Sequence, residues 1–377
     1  MDFQFNEDQR AIADMAGALF SDFCTDDRLR AADTRSEGFF ADLWEKCVET
    51  GLHALSIPED AGGSGLGMTD LMLVLEAQGR ALGHVPLWQH QLAAMAVARF
   101  GGAVGQDLVA AASAGEKILT LSLHGLARSG GDGLQAVAGA DGLIVNGRVP
   151  AVSFAPEAAA ALLLAATPEG NRLLLIALDQ PAVNLAPGLF TDGASVADVT
   201  VRDLVVPAAY VLPVEAVQWL EDRAMAALAS IQLGVSCEQI RRTVAYVSER
   251  KQFDRAIGSF QAVQMSMADA HIATEALRSA LYQLVFRLDA GFPSQSEALA
   301  TRWLACEAGH SVGHKAQHVH GGIGVDLTYP IHRYLYWSRA LAAALGGSAA
   351  TLERLGTWIT TNNKLGWKYD FEENQAV

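Results

Sequence analysis

An α+β fold, with helical regions on either side of a β-rich one, is what the sequence predicts, on three observations. Apolar residues recur at steps of three and four through residue 115. Short apolar runs punctuated by Gly, Pro, Asn and Asp fill residues 116–213, and helical periodicity returns from 214 to 377. The expected domains are therefore an N-terminal α-helical domain (1–115), a middle β-barrel-like domain (116–213) and a C-terminal four-helix bundle (214–377).

The first region reads as helices at AIADMAGALF, FADLWEKCVETG and TDLMLVLEAQGRALG, with a loop at SIPEDAGGSGLGM, where Pro58, Gly62, Gly63, Gly65 and Gly67 break any helix. The strands are read at KILTLSL, GLIVNG, ALLLAAT, NRLLLIALD and ASVADVTVRDLVVP. In the last region Val263, Met267, Ala270, Thr274, Leu277, Leu281, Leu284 and Leu288 form one seam along a long helix. Ile231, Val235, Ile240, Val244 and Val247 form another on the helix before it, and both are read as core of an antiparallel bundle.

A hydrophobic fraction of 51% and a charged fraction of 18% over 377 residues supply enough apolar surface to offset chain entropy, which excludes wholesale disorder. The net charge of −15, without a basic stripe, excludes nucleic acid as a partner. Cys24, Cys47, Cys237 and Cys306 lie far apart with no C-x-x-C pairing and are expected as free thiols. No basic segment followed by an apolar core opens the chain and no apolar stretch reaches spanning length, so a cytoplasmic protein without a membrane partner is expected.

Nicotinamide, P-loop, nucleophile-elbow and zincin signatures are absent. His310, His314 and His318 share a helix face, with His320 just beyond; the spacing alone favours helix-surface histidines, and no metal is assigned. Two other segments carry chemistry. YVSERKQFDRAIGSFQAVQ (246–264) sets Arg250, Lys251 and Arg255 beside the ring of Phe253, a combination of forked phosphate donors and a stacking face that suits a nucleotide with a pyrophosphate. AQHVHGGIGVDLTYPIHRY (316–334) follows a polar helix end with Gly321, Gly322 and Gly324, which allow close approach of a ligand to backbone amides.

In this order the two segments resemble the acyl-CoA dehydrogenase family, whose members carry R-x-Q-F-G-x-x-I-x-x-x-Q and Q-x-x-G-G-x-G stretches. FNEDQRAIAD and GLHALSIPEDAGGSGLG extend the resemblance toward the N-terminus. The resemblance implies a bound FAD, dehydrogenation of an acyl-CoA thioester, and an electron-transfer flavoprotein as acceptor. It also implies that Arg250, Phe253, Gln261, Gln317 and Gly321 contact the adenosine-pyrophosphate end of the FAD. Asp254 departs from the pattern, standing where the family has glycine.

The family's catalytic glutamate occupies one of two positions, which fall here on Ala224 and Leu345, and neither can take a proton. Glu221 and Asp222 lie nearby, but two or three places along a helix turn a side chain by roughly 200–300°. They are read as solvated charges in a first helical turn, with catalysis as the alternative. The flavin-ring segments of the family correspond to LSLHGLARSGGDG and GRVPAVSFAP, which lack its pattern. The resemblance is therefore to the non-catalytic subunit of heteromeric (α2β2) steroid or bile-acid side-chain acyl-CoA dehydrogenases, whose homologous partner carries the glutamate and the acyl-CoA pocket. Two alternatives remain: a self-sufficient homo-oligomer using Asp222 or Glu221 as base, and a flavin-free scaffold.

Overall fold

The structure, a computed structural model, describes residues 4–123 and 133–362. Six helices open the chain: α1 (Glu7–Phe23), α2 (Asp26–Arg35), α3 (Ala41–Glu49), α4 (Met68–Ala81), α5 (Leu87–Phe100) and α6 (Gln106–Ser113). Helix α1 starts at Asn6 because its side chain accepts from the Gln9 amide (2.8 Å) while Gln9 Oε1 accepts from the Asn6 amide (3.1 Å), a reciprocal cap. The glycine-rich loop folds back tightly, and a Cβ on Gly63 would lie 2.2 Å from the Ile57 carbonyl oxygen.

Seven strands follow: β1 (Leu119–Ser122), β2 (Leu134–Ala138), β3 (Leu143–Ser153), β4 (Ala160–Thr167), β5 (Gly170–Ala177), β6 (Val183–Leu189) and β7 (Ser195–Val206). They form one sheet in the order β1-β4-β2-β3-β7-β6, with β5 also paired to β4. The sheet is mixed, since β1 and β2 run parallel to successive stretches of β4 while the other pairings are antiparallel. Strand β4 explains the unbroken apolar run ALLLAAT: Leu162 and Leu164 join the core of the helices, whereas Leu163 and Ala165 join the sheet's own core with Val145, Leu174 and Val199. Strands β2 and β6 escape sequence detection because β2 (LQAVA) carries Gln and two alanines where strands favour β-branched or aromatic residues, and β6 is mostly exposed and contains Pro187.

The chain then returns to helices: α7 (Glu215–Glu249), a hairpin of β8 (Lys251–Gln252) and β9 (Arg255–Ala256), α8 (Gln261–Asp289), α9 (Gln295–His320), α10 (Ile331–Ala344) and α11 (Ser348–Thr361). Helices α7, α8 and α9 pack on one another, α10 completes the bundle against α7 and α9, and α11 lies along α9. The α8 seam is buried from Ala270 to Leu288, but Val263 and Met267 are half-buried. On α7 the stripe also opens outward, for Ile240 is half-buried and Val244 is 44% exposed. Val247, one turn on, is buried again, so near this end of the bundle apolar spacing marks core at some positions and a partly open surface at others.

All four cysteines are free, and burial pushes the Cys24 and Cys47 thiols up to about 12. Among the described residues no helix is long and apolar enough to cross a membrane.

Helices α4 and α7 cross at two glycines that leave no room for a side chain. A Cβ on Gly79 would sit 2.2 Å from the Ile231 carbonyl oxygen, and one on Gly234 would sit 2.0 Å from that of Glu76. Gly234→Ala is expected to lower unfolding stability by roughly 1–3 kcal/mol, as overpacking does. Gly356→Ala, in α11 with open space around it, is expected to raise stability by about 0.5–1 kcal/mol. Urea denaturation of the two variants checks both signs.

Candidate functional site

The bundle end at which α7 stops and α8 begins gathers most of the sequence-predicted contact residues. Arg250 caps the C-terminus of α7, Gln261 opens α8, and Gln317 and Gly321 close α9. Two contacts hold these ends together: the Tyr246 ring stacks on His320 (centroids 4.4 Å, planes 18° apart), and Lys315 pairs with Asp269 at 2.9 Å. The Arg250 carbonyl accepts from the Ile257 amide at 2.8 Å, which folds the hairpin back on the end of α7. An apolar cavity of about 460 Å³ lies beside it, bounded by Val247, Gly258 and Met267 among others.

At the hairpin tip Phe253 (φ 53°) and Asp254 (φ 63°) are both left-handed, the geometry of a tight two-residue turn that ordinarily selects Asn and Gly. Each non-glycine residue held there is strained by roughly 1 kcal/mol or more. Phe253 is 87% exposed. Arg255 is committed to bracing the turn, its guanidinium 3.9 Å from the centre of the Phe260 ring. Arg250 is exposed and, among the described residues, makes no ion pair.

The glycine turn asks for a correction. Three residues separate Gln317 from Gly321, one more than in Q-x-x-G-G, so His318 stands at the motif's glutamine position. The geometry agrees: His318 is exposed, whereas both amide atoms of Gln317 are buried without a hydrogen-bond partner, and a Cβ on Gly324 would meet Gln317 Oε1 at 2.5 Å. Gly321 itself is held at φ 64°, ψ −138°, a region open essentially to glycine alone. Nothing lies within 4 Å of a Cβ built on Gly321 or Gly322, which leaves their backbone open to a ligand.

Toward the other end of α7 the two positions that the resemblance assigns to a base, Ala224 and Leu345, are each at 0% exposure. Glu221 and Asp222 are not the solvated first-turn charges expected: they lie in the second turn of α7 and are buried. Arg354 of α11 grips both Glu221 oxygens, through Nη1 to Oε1 and through Nη2 to Oε2 at 2.9 Å, and Arg302 Nη1 stands 3.7 Å from Oε1. The Arg302 Nε donates to the carbonyl of Leu345. Asp222 accepts from Gln218 Nε2 (2.6 Å) and Ser294 Oγ (2.8 Å), and burial pushes its carboxyl up to about 6. Sequence reasoning missed this cluster; the signal was Arg302 and Arg354, each set among apolar residues in TRWLA and LERLG.

Of LSLHGLARSGGDG, residues 124–132 lie outside the described residues. GRVPAVSFAP lies on β3 and just beyond it, where the register shifts between Val149 and Val152 and both Ala151 (φ 48°) and Phe154 (φ 53°) turn left-handed. The Phe154 ring is buried and meets Phe39 edge-on at 6.2 Å. It therefore packs inward and offers no face to a ligand. His310, His314 and His318 are exposed, and His314 Nε2 faces the Arg339 guanidinium at 3.0 Å. Among the described residues no His, Cys, Asp and Glu grouping could hold a metal ion.

Removing the Glu221 charge leaves buried Arg302 and half-buried Arg354 without their anion, so Glu221→Gln is expected to cost about 3 kcal/mol in urea denaturation, the low end for a broken buried pair because Arg354 keeps access to water. Asp222 holds its proton more tightly folded than unfolded, so its contribution is full below about pH 4 and is lost as pH rises through about 6. Asp222→Asn is expected to flatten the fall in stability between pH 4 and 6.5; an unchanged slope would place that titration elsewhere.

Residues 6–107 match the acyl-CoA dehydrogenase N-terminal domain and residues 217–360 the acyl-CoA dehydrogenase C-terminal domain. Acyl-CoA dehydrogenase FadE27 of Mycobacterium tuberculosis is 33% identical over 367 residues, which span 94% of this chain and 98% of that protein. A chain of the ChsE4-ChsE5 complex from Mycobacterium tuberculosis superposes with a TM-score of 0.91 at 33% identity, over 96% of this chain and 100% of that one. A variant of the Tcur3481-Tcur3483 steroid ACAD gives 0.88 at 37% identity, over 94% and 98%. By domain matches at both ends and similarity along its whole length, the chain belongs to the acyl-CoA dehydrogenase family.

Proposed function

We propose that this chain is the non-catalytic subunit of a heteromeric FAD-dependent acyl-CoA dehydrogenase. It lends adenosine-pyrophosphate contacts to an FAD whose reactive ring, together with the glutamate base and the acyl-CoA pocket, belongs to a homologous partner. One observation carries the reading: the nucleotide-facing end of the bundle is open and uncommitted, while both base positions are buried alkyl groups. The neighbouring carboxylates are engaged as well, Glu221 by arginines and Asp222 by two hydrogen bonds. That the similar structures include complexes named for two unlike chains supports a two-chain assembly.

The residues present fit the tail of the cofactor. Arg250 offers an unpaired fork for a phosphate, Phe253 an exposed ring for stacking, and Gly321 and Gly322 an unobstructed backbone. Gln261 and His318 flank them, His318 taking the place first given to Gln317. When bound, FAD supplies the acceptor for the hydride of an acyl-CoA desaturation. This chain's part is to bind and orient, with a steroid side chain as the acyl group in keeping with the steroid ACAD among the similar structures. An electron-transfer flavoprotein then serves as acceptor for the assembly. A self-sufficient enzyme using Asp222 is disfavoured because both carboxylate oxygens are already engaged, and a flavin-free scaffold leaves the strained, exposed hairpin without a role.

The chain expressed alone is expected to be colourless and inactive, and co-expression with a homologue bearing a glutamate at either base position to yield a yellow, active complex. A yellow, fully active homo-oligomer of this chain would overturn the reading. In the complex, Arg250→Ala removes a charge-assisted fork of roughly 1.5–3 kcal/mol, so FAD is expected to bind about tenfold or more weakly by equilibrium dialysis. Asp254→Gly is expected to act the other way, raising the chain's stability by about 1 kcal/mol as strain is relieved and tightening FAD as a negative charge leaves the phosphate side.

A further inference from the structure

Two arginines meet over one tryptophan with no acid between them. Arg223, in the third turn of α7, lays its guanidinium 4.0 Å from the centre of the Trp219 ring, one turn back on the same helix. Arg99, in the last turn of α5, stands 5.7 Å from the same ring and 5.4 Å from the ring of Phe100. Phe100 and Trp219 meet edge-on at 5.5 Å, so the end of α5 and the start of α7 set both cations on one aromatic platform.

The platform does not neutralise them. Among the described residues neither arginine makes an ion pair. Arg223 Nη1 donates to the Trp219 carbonyl at 3.1 Å, but Arg223 Nε is buried without a partner. Burial pushes the Arg223 guanidinium down to about 10; Asp222 opposes that shift, Arg99 adds to it, and Asp289 opposes it. The two carboxylates within reach are engaged elsewhere. Asp222 accepts from Gln218 and Ser294, and Asp289 caps α4, accepting from the Met68 amide at 2.6 Å and the Thr69 amide at 3.0 Å.

Two like charges held together, one of them half out of water, are complete only with an anion. A carboxylate has two oxygens, which a single guanidinium fork fills, whereas a phosphate group has oxygens and charge enough for two forks. Arg99 is exposed and presents its fork to solvent beside Arg223. We infer that Arg99 and Arg223 form an anion site that takes a phosphate group, free or carried by a larger molecule. It lies roughly 40 Å along α7 from Arg250 and is independent of the hairpin and of the heteromeric reading.

Titration calorimetry with inorganic phosphate tests the site, at fixed ionic strength and in the full Arg250→Ala chain so that the hairpin does not compete for the ion. Saturable binding is expected, weakened about tenfold or more by Arg99→Ala and only partly restored by Arg99→Lys, which returns the charge without the fork. Arg202→Ala, at an exposed arginine of β7, is expected to leave it unchanged. Glycerol 3-phosphate binding more tightly than inorganic phosphate assigns the group to a larger molecule, and weaker binding assigns it to the free ion. No saturable binding, equal binding by Arg99→Ala, an equal loss in Arg202→Ala, or succinate binding more tightly than either phosphate would each overturn the inference.

Discussion

The carboxylate of Glu221, held by Arg354 and faced by Arg302, is the interaction around which the interior of the C-terminal region is arranged. Glu221 and Arg302 are buried and Arg354 is half-buried, and ion pairs so placed stabilise little by their mutual attraction, because desolvation offsets most of the Coulomb energy. Their effect is to make alternatives expensive. Arg354 fixes α11 to α7, Arg302 fixes α9 to both, and Arg302 Nε donates to the carbonyl of Leu345 at the C-terminal end of α10. Four helices are thereby registered at one place, and each partner that left would strand a charge away from water. The same arrangement commits Glu221, so it is unavailable as a proton acceptor for chemistry.

Helix α7 transmits that constraint along its 35 residues. Its first turns are pinned by the ion cluster and its middle by the glycine crossing with α4, where the carbonyls of Glu76 and Ile231 stand close enough to exclude any side chain. Its last turns keep one face buried, at Thr243 and Val247, and stack Tyr246 on His320 of α9, and they end in a hairpin that presents Phe253 to solvent. A rigid, sealed end and an open, cationic end on one helix are what a chain needs if it holds a ligand for another subunit without enclosing a reaction of its own.

Much of this was legible in the sequence, for reasons visible in particular residues. The helical regions declare themselves through their spacing, and Ala224 and Leu345 are alkyl residues whatever the geometry around them. Other features were not. The run ALLLAAT reads as a strand without revealing that its alternate leucines serve two different cores. Val244 keeps helical apolar spacing but is 44% exposed between buried Thr243 and Val247, so pattern and burial part company. Glu221 and Asp222 look like ordinary helix-start charges because their partners come from Arg302, Arg354 and Ser294, more than 70 residues away in sequence. His318 was hidden by a count: a single extra residue before the glycines moves the outward-facing position from an amide to an imidazole and turns Gln317 into the interior.

Strain at the hairpin completes the argument. Two consecutive left-handed residues with side chains are an unfavourable way to build a turn when glycine would serve, and the energy comes from the surrounding structure: Arg255 on Phe260, and the Arg250 carbonyl on the Ile257 amide. Such a turn persists where its shape is worth more than its local stability. Phe253 meets the Phe260 ring edge-on, with centroids 6.3 Å apart, and is otherwise almost wholly exposed, so most of its surface is open to a contact from outside the chain. An aromatic ring beside unpaired cations can be satisfied by a nucleotide, by a protein surface, or by both at once. The proposed cofactor, bound across a subunit boundary, would provide both.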